Sequence, residues 1–130
     1  MEIPSLVRNL SHDLFVRYAA CTNDFSRQHL DYLYAVAVGW KDCIIHGAMS
    51  ACFLSKLMTD WMGEEGILHR WKATYRTPGY PGETWTCKGK VTEKYKRDGK
   101  NWVDCELWIE NQEGAIVTPG SATVALPSRG

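Results

Sequence analysis

Residues 47–62 read GAMSACFLSKLMTDWM, from Gly47 to Met62. Ala48, Met49, Ala51, Cys52, Phe53, Leu54, Leu57, Met58, Trp61 and Met62 spread apolar surface around nearly the whole circumference of a helix. Only Ser50, Ser55, Lys56, Thr59 and Asp60 interrupt it. A helix apolar on most sides is expected to be buried on most sides, and about sixteen residues fall short of the ~20 that span a bilayer. Gly63 is well positioned as its stop. The segment predicts a central helix that other elements must cover.

Downstream, the chain turns strand-like. Leu68–Arg76, Glu83–Tyr95, Trp102–Asn111 and Ile116–Leu126 are rich in Val, Thr, Trp and Tyr and alternate frequently. Gly- and Pro-bearing turns separate them at residues 77–82, Asp98-Gly99 and Glu113-Gly114, and Arg97-Asp98-Gly99-Lys100 is a hairpin signal. Upstream, the chain reads as helical. Ser11 is a fitting N-cap for a helix carrying Leu14, Phe15 and Tyr18 and ending near Thr22-Asn23. A polar stretch from Asp24 to Asp31 follows, then a helical Tyr32–Val38 stopped by Gly39. Helices followed by an antiparallel meander make an α+β pattern, in which 47–62 is the one segment apolar enough to cover a sheet face. A sheet wrapped around one buried helix is the hot-dog arrangement, expected here as one domain over residues 1–130.

The bulk composition sets limits. Fifteen basic and fifteen acidic residues cancel, so nucleic acid and membrane surfaces are not expected partners. The stretch MEIPSLVRNL lacks the apolar run of a secretory signal, which predicts a cytoplasmic protein. Five cysteines without a CxxC pair read as buried free thiols rather than a disulfide frame or a metal site.

Asp24 and His29, five residues apart in the polar stretch, can face one cavity and hold one water between them, as proton transfer during hydration requires. The competing reading makes Asp24 a helix cap and His29 a surface residue. His46-Gly47 opens the central helix, where unpartnered N–H groups and the dipole favour negative charge and a glycine admits a ligand oxygen closely. Gly47 is thus a candidate oxyanion donor, or simply a helix start, and His46 reads as structural. Ser55, a polar group on a buried helix, needs a partner: it either orients a catalytic side chain or bonds back to a helix carbonyl. His12 and His69 show no partner pattern and read as solvated.

Taken together, these residues resemble the MaoC-like (R)-specific enoyl-CoA hydratase family. Its D-x-N-P-x-H element matches Asp24-Phe25-Ser26-Arg27-Gln28-His29 at both catalytic positions, and Ile45-His46-Gly47 is similar to its I-x-H-G. Ser55 falls where the family has an active-site serine, and residues 75–83, 90–94 and 111–114 are similar to its strand and turn motifs. The likeness runs from about Ser11 to Leu126. The resemblance implies reversible syn hydration of a trans-2-enoyl-CoA, with Asp24 and His29 as the acid–base pair in either assignment and the Gly47 N–H on the thioester oxygen. It further implies Ile45, His46 and Tyr80 along the substrate, Ser55 and Ser26 as supports, and no metal or cofactor beyond the CoA or carrier-protein arm of the substrate. Ser26-Arg27 departs from the family's Asn-Pro. Ser26 can still form an Asx-like turn, whereas Arg27 adds a bulky charge near the site. The implied assembly is a homodimer or higher homo-oligomer. Related small chains of steroid side-chain breakdown pair with a second hot-dog subunit, so the resemblance also admits a hetero-oligomer.

Overall fold

The computed structural model describes residues 1–127. The helix expected from residues 47–62 forms over the whole of that range, here α4 (Gly47–Met62). Met49, Ser50, Phe53, Leu54, Leu57 and Met58 are its buried residues, a paired stripe at helical spacing. Burial is narrower than the composition implied: Ala48, Cys52, Lys56 and Thr59 face outward. Small and thiol-bearing residues count as apolar in a pattern but are tolerated in water. Gly63 ends the helix at φ 78°, a conformation open to glycine without a Cβ clash.

Strands β2 (Ile67–Ala73), β3 (Thr84–Arg97), β4 (Lys100–Glu110) and β5 (Ile116–Leu126) follow α4, close to the expected boundaries. Asp98 and Gly99 both have positive φ, 53° and 74°, the requirement of a type I′ hairpin turn. In β4, Val103, Cys105, Leu107 and Ile109 alternate inward, the period-2 signature of a sheet with one covered face.

The N-terminus departs from the helical reading. Glu2–Asn9 is a strand, β1, paired antiparallel with β3. Its alternation is hidden by a register shift between Ile3 and Leu6, with Pro4 between them, so neither period is visible in the sequence. The five-stranded sheet has the order β1-β3-β4-β5-β2, antiparallel throughout. With α4 packed on it, this is an α+β hot-dog fold. Among the described residues no helix is long and apolar enough to cross a membrane.

Between β1 and α4 lie α1 (His12–Thr22), α2 (Arg27–Leu30) and α3 (Tyr32–Ala37). The Ser11 hydroxyl caps α1 by accepting from the Leu14 N–H at 3.0 Å. Phe15 and Ala19 anchor α1 with no exposed surface. His12 is not merely solvated: its Nε2 donates to the Leu30 carbonyl at 2.7 Å and ties α1 to α2. Cys43, Cys87 and Cys105 are buried, but Cys21 and Cys52 are exposed, contrary to the expectation for all five.

Candidate active site

α1 ends on Asn23 in the left-handed region, φ 58°, with the Asn23 and Asp24 N–H groups both donating to the Ala19 carbonyl. Asn tolerates this conformation because its short polar side chain can bond locally. The tight stop swings Asp24 toward the N-terminus of α4. Its carboxylate accepts from the Ser26 hydroxyl at 2.9 Å and the Ser26 N–H at 3.3 Å, so the Asx-like turn is present with Ser in the third position. Those two bonds, the hydroxyl first, hold the Asp24 carboxyl below the usual carboxylate range. Asp24 does not cap the next helix; Asp31 caps α3 through Tyr34 N–H. Arg27 pairs with Asp31 at 3.0 Å and lies 4.6 Å over the Tyr34 ring, so its charge is turned to α3 rather than to the site.

His29 is buried, not a surface group. The Ile44 backbone fixes it: Ile44 N–H donates to the Gln28 carbonyl at 3.0 Å, and the Ile44 carbonyl accepts from His29 Nδ1 at 2.8 Å. A carbonyl only accepts, so Nδ1 carries the proton and Nε2 of the neutral ring keeps a free lone pair. Behind it lies His46, 1% exposed, its ring stacked on that of His29 at 3.8 Å between centroids. His46 Nε2 donates to the Asp24 backbone carbonyl at 3.1 Å, while its buried Nδ1 has no partner. Burial pushes the His46 pKa below its ordinary value of 6.5.

One carboxylate oxygen of Asp24 and one nitrogen each of His29 and His46 lie within 4.8 Å of one another. Such a trio invites comparison with a metal centre. The imidazole planes are only 21° apart, however, so their in-plane lone pairs run nearly parallel and do not converge on one ion. The arrangement suits proton handling.

A cavity of about 290 Å³ opens beside His29 and takes in Gly47, Ile44 and Ile45. Gly47 is the first residue of α4, and among the described residues its N–H meets no acceptor. The Tyr75 ring roofs it: a Cβ on Gly47 would sit 3.0 Å from Tyr75 Cδ2. The structure thus brings His29, Gly47 and Ile45 to one cavity, with the Asp24 carboxylate beside the His29 ring but outside the cavity lining. It does not bring Ser55, whose hydroxyl donates to the Cys52 carbonyl at 3.1 Å. Nor does it bring Tyr80, whose ring carries the Lys41 ammonium 4.7 Å away. His46 stands behind His29 and does not border the cavity. Ser50, Tyr75 and Thr118 border it instead. Ser50 shares the Gly47 face at i+3 spacing, a signal present in the sequence; Tyr75 and Thr118 arrive only through folding.

The sequence pattern that defines the MaoC like domain matches residues 4–112. The chain belongs to the MaoC-like family. This MaoC-like chain is 28% identical over 111 residues to the (R)-specific enoyl-CoA hydratase of Aeromonas caviae, covering 85% of this chain and 81% of that one. It is equally 28% identical over 127 residues to the (R)-specific enoyl-CoA hydratase of Rhodospirillum rubrum, covering 97% and 86%. Among solved structures, the A. caviae (R)-hydratase involved in PHA biosynthesis matches it with a TM-score of 0.86 at 26% identity, over 98% of this chain and 95% of that one.

Proposed function

We propose that the protein catalyses reversible syn addition of water to a trans-2-enoyl thioester, giving a 3-hydroxyacyl thioester. The observation that carries this reading is the approach of the Asp24 carboxylate to the ring of His29, which itself borders a cavity shared with Gly47. With Asp24 ionised and His29 Nε2 unprotonated, both groups accept protons and together orient one water. The water oxygen bonds to C3 as the C2–C3 π pair shifts toward the thioester. Negative charge gathers on the thioester oxygen, where the Gly47 N–H and the α4 dipole stabilise it. The proton released by the water passes through the pair to C2, on the same face, so no other proton donor is consumed. CoA or a carrier-protein arm enters as part of the substrate, no metal or redox group takes part, and the working form is a homo-oligomer or a complex with a second hot-dog subunit.

Incubation with crotonyl-CoA tests the reading. Hydration lowers enoyl absorbance without releasing thiol. Release of CoA thiol would instead mark a thioesterase, and inertness toward every enoyl-CoA a non-catalytic subunit. Asp24→Asn and His29→Ala should each lower kcat by ~10²–10⁴-fold with unchanged circular dichroism. Near-normal turnover in either variant would overturn the assignment.

A further inference from the structure

The cavity beside His29 borders one strip of α4 and has polar groups in its lining. Gly47, Ser50 and Leu54 follow one another along that strip. Gly47 and Ser50 border the cavity but Leu54 does not. Leu54 is fully buried against Gly120, where an added Cβ would lie 2.9 Å from Leu54 Cδ1. The open space therefore stops about one turn, ~5 Å, beyond the Gly47 amide. Thr118 of β5 borders the same cavity. Ser50 is 2% exposed and Thr118 1%, yet among the described residues neither hydroxyl has a hydrogen-bond partner. Both residues border the cavity, and neither hydroxyl is fully enclosed without a partner. Hydroxyls on a cavity wall take their partners from whatever fills the cavity, whereas alanine and valine at these positions would need none. The proton-transfer steps use neither group.

Resting on the hydratase reading, we propose that Ser50 and Thr118 form a polar end wall of the acyl pocket. This wall selects a short acyl chain bearing an oxygen substituent near C5. An extended chain of about five carbons, with ~1.5 Å bonds, covers the distance from the thioester carbon at Gly47 to the wall. The two hydroxyls then donate to and accept from that oxygen. A straight apolar chain of equal length leaves both unpaired. A site built to bond a substrate oxygen discriminates strongly against an analogue that lacks it.

The matched pair 5-hydroxy-trans-2-pentenoyl-CoA and trans-2-hexenoyl-CoA, which differ by OH for CH₃, tests the wall. The wild-type protein should favour the hydroxylated substrate by ~10-fold or more in kcat/KM. Ser50→Ala, which suits a helix, should shrink that ratio, and Ser50→Ala with Thr118→Val should invert it. Calorimetric binding of 5-hydroxypentanoyl-CoA against hexanoyl-CoA reads the same preference without turnover. Equal or better use of hexenoyl-CoA, or a ratio unmoved in folded variants, overturns the proposal. Hydration of crotonyl-CoA without any preference removes the wall but keeps the hydratase. A binding preference without hydration does the reverse.

Discussion

His46 governs the site from behind without touching the cavity. It donates to the Asp24 carbonyl, stacks on His29 and keeps Nδ1 dry. Because burial lowers its folded-state pKa, the unfolded chain takes up a proton near pH 6.5 that the folded chain refuses. Stability therefore falls as pH drops below about 6.5, and continues to fall until the folded-state pKa is reached. Thermal melts from pH 7 toward about pH 5 should show this acid loss. His46→Gln, whose amide can still donate to Asp24 but does not titrate, should flatten it; an identical pH profile in the variant would assign the loss elsewhere. Gly47 offers a second test. A valine there keeps the N–H but meets the Tyr75 ring and would fill the approach proposed for the thioester. Its kcat on crotonyl-CoA should fall ~10²–10³-fold, the effect of one oxyanion donor. Wild-type turnover in folded Gly47→Val would move the oxyanion site away from α4.

At the scale of elements, α4 provides both the core and the start of the cavity, so its packing should dominate stability while its exposed face should not. Leu54 has no exposed surface and sits in the tight contact with Gly120, where collapse around a void is hard. Leu54→Ala should cost ~2–5 kcal/mol in denaturant unfolding. Thr59→Ala, on the exposed side, should stay within ~0.5 kcal/mol. Comparable losses for the two would mean that α4 is covered on both sides, as its composition first suggested. The helix, the capped α1 and the Asp98-Gly99 hairpin were all legible from sequence, since each rests on periodicity or turn chemistry within a few residues. β1 was not, because its bulge breaks the alternation and its partner β3 lies far along the chain.

For the whole molecule, the two sheet edges differ. β1 carries Pro4 and a register shift, features that blunt an edge against pairing. β2, at the other end of the order, bears Ile67 at 58% and Trp71 at 45% exposure. An edge of that kind invites continuation of the sheet by a second copy. Sedimentation at micromolar concentration should show at least a dimer, and Trp71→Lys should shift it toward monomer. A fully active wild-type monomer would refute edge pairing as a requirement of the site.

The sequence by itself determined the central helix and the hairpin and marked Asp24, His29 and Gly47 as site candidates, since each depends on residues close in the chain or on a motif that keeps its spacing. The tertiary structure alone decided which polar groups share the cavity. It set His46 behind His29, tied Ser55 to its own helix, and turned Tyr80 away. It also brought Ser50, Tyr75 and Thr118 together around Gly47. The physical reason is that helical position tells which residues share a face, whereas what that face meets depends on the register and curvature of strands far away in sequence.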